Sequence, residues 1–135
     1  MNRTEGLIQE LKTKTEGLMF ASEAEYPFNT VVWREQAQDT PLTSAEFLRI
    51  AGHSPETPLQ AINVDTFFHR ATQDQDWHGE IEKANVNKFR ELAQLLKDSL
   101  EEVQVFKVGE FEMDAYILGK MDADFVGLST KVVET

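Results

Sequence analysis

The chain has 135 residues, no cysteine, and a formal net charge of −11 from 24 acidic and 13 basic side chains. This length suits one domain, so residues 1–135 are expected to fold as a single unit. The missing cysteines exclude disulfides, thiol chemistry and Cys-ligated zinc, while so acidic a surface repels nucleic acid and anionic membrane and attracts basic partners.

Met1-Asn-Arg-Thr-Glu-Gly-Leu-Ile carries charge where a signal peptide would need an apolar run. No apolar stretch approaches the roughly 18–20 residues of a membrane span, so a cytoplasmic location is expected. From Thr4 to Leu18, Leu7, Ile8, Leu11 and Leu18 recur at helical spacing, which predicts an amphipathic helix. Ser22-Glu-Ala-Glu-Tyr-Pro-Phe28 interrupts it, because Pro27 pushes Tyr26 towards extended geometry. Asn29–Arg34 is β-branched and aromatic and predicts a strand, with Trp33 in the core. After a connector at 36–41, Thr43-Ser-Ala-Glu46 matches a capping box, and Gly52 supplies the stop of a short helix.

Residues 53–58 form a loop, 59–64 a short strand, and Asp65–Ala71 a short helix with Asp65 as its cap. The longest helix runs from about Glu80 to Glu102. Val86, Phe89, Ala93, Leu96, Leu100 and Val103 mark its packed stripe, and Lys88, Arg90, Glu91, Lys97 and Asp98 its solvated face. The period then changes to two. Strands are expected over Val103–Val108, from Phe111 through Met113, Ala115 and Ile117, and over Phe125–Val133, with turns at Gly109-Glu110 and Gly119–Asp124. An antiparallel meander joined by the Val31 strand and covered by helices is an α+β architecture.

Motifs for covalent catalysis or nucleotide hydrolysis are missing: there is no Gly-x-Ser-x-Gly turn and no phosphate-cradling glycine loop. The chemistry concentrates in Thr72-Gln-Asp-Gln-Asp-Trp-His-Gly-Glu80. Asp74, Asp76 and His78 alternate there and offer hard ligands for a divalent cation; in the plainer alternative Asp74 or Asp76 caps the following helix. Trp77, among polar neighbours, is balanced between core packing and an exposed binding anchor. Glu23 and Glu25 flank Ala24 as a solvated pair. The last strand ends so close to Thr135 that the terminal carboxylate is a candidate for being held in place.

Ser22-Glu-Ala-Glu-Tyr-Pro-Phe28, Gly52-His53 with Thr57-Pro58, Asp76-Trp-His-Gly-Glu80 with Glu82-Lys83, and Gly119-Lys120 together resemble the nuclease A inhibitor family, over essentially the whole chain. The resemblance implies an α/β/α sandwich with an antiparallel sheet, like plant pathogenesis-related proteins. It also implies a non-enzymatic, cofactor-free protein inhibitor of a secreted, Mg2+-dependent, sugar-non-specific nuclease, holding no metal of its own. In the family pattern Glu23 and Thr135 approach the nuclease's Mg2+. Trp77, with Asp76 beside it, anchors the interface, and Glu25, Asp74 and Gln75 neighbour these contacts. Two alternatives stand beside this one. One is an acidic binding module or DNA mimic for another basic protein; the other is a small hydrolase using Asp74, Asp76 and His78 with a metal.

Overall fold

The last third of the chain alternates apolar and polar residues with a period of two, and it forms the centre of a sheet. The computed structural model describes residues 2–134. In it β5 (Glu101–Val108), β6 (Glu112–Met121) and β7 (Asp124–Val133) are an antiparallel meander. β3 (Asn29–Trp33) pairs with β7 at one edge, as expected, and β4 (Leu59–Ile62) pairs with β5 at the other. The order is β3-β7-β6-β5-β4, with every neighbouring pair antiparallel.

Because successive side chains point to opposite faces, these strands pack on both sides. Val105, Ala115, Ile117, Val126 and Leu128 face α1 (Arg3–Thr15), α3 (Val64–Phe68) and α4 (Glu80–Ser99), and share a core with Leu11, Phe68, Phe89, Leu92 and Leu96. Phe106, Val108, Leu118 and Phe125 face the other way, against Phe47 and Leu48 of α2 (Ser44–Ala51) and against Leu42. Half-buried Trp33 joins this second layer, its ring 5.8 Å from that of Phe47. Among the described residues no helix is long and apolar enough to cross a membrane.

Several boundaries differ from expectation for identifiable reasons. The segment after α1 is not a plain break. Met19–Ala21 (β1) and Glu25–Pro27 (β2) pair as a small separate hairpin. α3 is capped by Asn63 rather than Asp65: the Asn63 Oδ1 accepts the Asp65 N–H at 2.7 Å, and Asp65 instead pairs with Lys97 at 2.8 Å. At α2, Thr43 caps as the motif requires, accepting the Glu46 N–H at 3.1 Å, while the Glu46 carboxylate takes Arg49 at 2.9 Å. α4 starts after Gly79 with no side-chain cap, so neither Asp74 nor Asp76 serves as one.

Gly119 is not a turn residue. It lies within β6, where a Cβ would come 2.7 Å from that of Leu100, so glycine there answers a close approach of the α4–β5 corner. The strand continues to Met121, and only Asp122 and Ala123 make the turn. The connector at 36–41 is fastened by buried Lys120, whose ammonium donates to the carbonyls of Gln38 (2.7 Å) and Thr40 (2.6 Å) and pairs with Glu102 at 2.9 Å.

Asp124 ties three elements at the start of β7. Its carboxylate accepts the Glu35 N–H at 3.0 Å, at a residue with φ of 58°, and the hydroxyl of buried Thr4 at 2.8 Å. The Glu35 N–H first, then the Thr4 hydroxyl, and more weakly Arg34, hold this carboxyl below its ordinary range. A depressed folded pKa stabilises the fold above the unfolded value of about 4, and that contribution disappears as pH falls through the folded value. Asp124→Asn is therefore expected to destabilise the protein by about 1 kcal/mol at pH 7. The gap between variant and native chain should shrink below about pH 4, as urea unfolding midpoints at pH 7 and pH 3 would show.

Candidate functional site

The β1–β2 hairpin presents the first acidic segment. Ala21 pairs with Glu25, leaving Ser22, Glu23 and Ala24 as the tip. Phe20 anchors the hairpin from below, buried and stacked on Phe67 with ring centroids 4.5 Å apart. Along its side, the Thr130 hydroxyl donates to the Pro27 carbonyl at 2.9 Å. At the tip, the Glu23 N–H donates to the Val133 carbonyl at 3.2 Å, and Ser22 Oγ accepts the Val133 N–H at 2.9 Å. The backbone of the hairpin tip is thus fastened to the end of β7, and the side chains of Glu23 and Glu25 are exposed.

The end of β7 is itself clamped. The Glu134 N–H donates to the Phe111 carbonyl at 2.8 Å, and the Glu134 carboxylate pairs with Lys107 at 2.8 Å. Lys107 is 8% exposed on the helix-covered sheet face, and only its ammonium reaches out to this partner. Thr135 lies outside the described residues. An open cleft of about 560 Å³ separates the hairpin from α3, with Phe20, Phe67, Glu23, Arg70, Lys107 and Glu134 in its walls.

Arg70 begins a single 3-10 turn, Arg70–Thr72, that leads straight into the second acidic segment. Here the chain closes on itself: the His78 N–H donates to the Gln75 carbonyl at 3.0 Å, and the Gln75 N–H donates to His78 Nδ1 at 3.2 Å. Trp77 at the tip of this turn is 72% exposed, with the His78 ring edge-on at 4.4 Å. The indole is therefore not a core residue. Arg90 of α4 braces the loop, donating to the Thr72 carbonyl at 2.9 Å and to Asp74 at 3.3 Å. Gln75 and Asp76 remain exposed, and with Asp74, Lys83, Asn87 and Arg90 they line a shallow concavity beside α4.

The Asp74, Asp76 and His78 side chains do not converge. Asp74 turns to Arg90, His78 turns back to Gln75, and among the described residues no three His, Asp or Glu side chains form a group able to hold a metal ion. The geometry instead fastens the Glu23 main chain to Val133, at the end of β7. Arg70, in a wall of the cleft, begins the 3-10 turn that leads into the Trp77 loop. A family model described as nuclease A inhibitor-like protein matches residues 5–135. The chain belongs to the nuclease A inhibitor-like family. Among curated proteins none matches it.

For a nuclease A inhibitor-like chain, the sequence motifs leave out residues that the structure places beside the acidic segments. Arg90 belongs to the face of α4 expected to be solvated, yet it holds the loop in shape. Lys107 occupies an inward position of β5 where periodicity predicts an apolar residue, and that mismatch was the one signal for it. Ile81, 77% exposed in the first turn of α4, and Phe111, 65% exposed, carry no motif at all. Phe111 falls outside β6, so it is not the inward strand residue that alternation suggests.

Proposed function

We propose that this chain is a cytoplasmic, single-domain protein inhibitor, not an enzyme, of a secreted, Mg2+-dependent, sugar-non-specific nuclease, and that it works by blocking the enzyme's active site. Family membership supports a nuclease as the partner. The observation that carries the mechanism is the fastening of the Ser22–Ala24 tip to Val133, which holds the Glu23 backbone against the end of β7. In this reading the helices on both faces of the sheet form the α/β/α sandwich of the plant pathogenesis-related proteins.

A nuclease that grips a polyanion presents a basic groove, and a body of net charge −11 is drawn towards it, which raises the association rate more than the affinity. Mg2+ is a hard cation that takes oxygen ligands and meets a phosphate in such enzymes. The Glu23 carboxylate, with Thr135 directly after Glu134, supplies similar oxygens but no phosphodiester to cleave. Trp77 fills an adjoining pocket, with Asp74, Gln75 and Asp76 shaping its loop and Glu25 adding charge at the hairpin.

The test is inhibition of such a nuclease on plasmid DNA in Mg2+. The native chain is expected to inhibit at stoichiometric amounts. Glu23→Gln keeps size and hydrogen bonding but removes the charge, and is expected to weaken inhibition by about ten- to a hundredfold, the usual range for losing a charge-assisted contact. Equal inhibition by Glu23→Gln, fading steeply with salt, would favour the rival description of a general acidic mimic. No inhibition by the native chain would end the proposal.

A further inference from the structure

Phe111 sits between Glu110 and Glu112 in the turn from β5 to β6, and 65% of it faces solvent. Two residues on, Met113 is buried in the helix-covered core, as strand alternation requires. Phe111 escapes that alternation because β6 starts only at Glu112. Its backbone is nevertheless fixed: its carbonyl accepts the Glu134 N–H at 2.8 Å, and the preceding residue, Val133, accepts the Glu23 N–H at 3.2 Å. Hairpin tip, chain end and Phe111 are therefore joined by successive main-chain hydrogen bonds. Phe111 thus adjoins this acidic centre through Glu134, while Arg70, in a wall of the neighbouring cleft, begins the turn that leads into the Trp77 loop.

The charges around the ring are mostly negative. Glu110, Glu112, Glu134 and Glu23 lie along this rim, and Lys131 (to Glu112, 3.1 Å) and Lys107 (to Glu134, 2.8 Å) offset two of them. An apolar ring on a rigid backbone within an acidic field is complementary to a basic surface with an apolar recess. A second copy of this chain is the wrong occupant, since two bodies of charge −11 repel.

We propose that Phe111 is a second aromatic anchor of the binding rim, entering an apolar recess at the border of the nuclease's basic groove. This rests on the inhibitor function proposed above and adds to it a second apolar contact. Phe111 and Trp77 then both contact the enzyme, and two separate apolar contacts set the orientation in which the carboxylates are presented.

The experiment compares Phe111→Ser and Phe111→Leu with the native chain and with Glu23→Gln, against a Mg2+-dependent, sugar-non-specific nuclease acting on plasmid DNA. Phe111→Ser is expected to weaken inhibition by about ten- to a hundredfold, with an unchanged unfolding midpoint and an unchanged dependence on salt. Phe111→Leu should retain most of the inhibition, because the contact is apolar. If Phe111→Ser inhibits like the native chain while Glu23→Gln is weakened, the anchor is refuted and the inhibitor function stands. If the native chain inhibits no such enzyme, both fall. A lowered unfolding midpoint in Phe111→Ser, or a native dimer in light scattering that becomes a monomer in the variant, gives the ring another task and likewise overturns the proposal.

Discussion

Trp77→Ala is expected to weaken nuclease inhibition by about 2–4 kcal/mol, from about thirtyfold to about a thousandfold, while leaving the fold intact. The first half follows from the size and placement of the side chain. An indole enclosed in an interface buries more apolar area than any other side chain, and truncating it also opens a void against the partner. The second half follows from its setting here: the ring is 72% exposed, and its close aromatic neighbour among the described residues is His78, 4.4 Å away. The loop keeps its shape without the indole. The bonds between Gln75 and His78 run through main-chain groups and the imidazole, and Arg90 braces Thr72 and Asp74 from outside. Inhibition constants, read beside near-ultraviolet circular dichroism and Tm, check both halves. Full inhibition by the variant would remove Trp77 from the contact, whereas a large loss of Tm would return it to the scaffold.

The largest effect on stability is expected from Gly127→Ala. Gly127 lies in β7, the strand between β3 and β6, paired with Leu118 on one side and Val31 on the other. A Cβ there would fall on the Ile117 carbonyl oxygen and come within 2.8 Å of the carbonyl carbon and 3.2 Å of the Leu118 Cα. These are backbone atoms of a strand hydrogen-bonded on both sides, so the clash cannot be relieved by turning a side chain. A domain of this kind is stable by roughly 5–15 kcal/mol. Moving two central strands apart is expected to cost more than about 4 kcal/mol, the range reserved for disrupted cores and strained backbone. The variant should accumulate in insoluble form or unfold at a much lower urea concentration than the native chain. An unfolding midpoint within error of native would mean that β6 and β7 can separate locally without loss of the sheet.

The two changes divide the molecule into a scaffold that tolerates little and a rim that tolerates much. The scaffold was largely legible in the sequence because burial leaves a periodic trace. Leu7, Ile8 and Leu11 in α1, Val86 to Leu96 in α4, and the alternation through β5, β6 and β7 all appear where hydrophobic spacing puts them. Thr43 at the start of α2 and Gly52 at its end act as their local chemistry requires, Gly52 with φ of 83°. The exceptions are local competitions. Asn63 displaces Asp65 as a cap because Asp65 has Lys97 to bind, and Gly119 imitates a turn residue because a neighbouring corner presses on β6.

The rim was legible only as a set of segments. Sequence by itself supplied the acidic balance, the amphipathic helices, the alternating strands and the residue pattern of the nuclease A inhibitor-like family, since each is written in composition or in short-range order. Tertiary structure alone decided that Trp77 is exposed, that the hairpin tip is fastened to Val133, that Arg90 shapes the loop, and that Phe111 and Lys107 stand beside the chain end. The last three of those outcomes depend on hydrogen bonds and ion pairs between residues about 16 to 110 positions apart. No local period reports such a pairing; it exists only once the sheet has brought its distant partners to one edge.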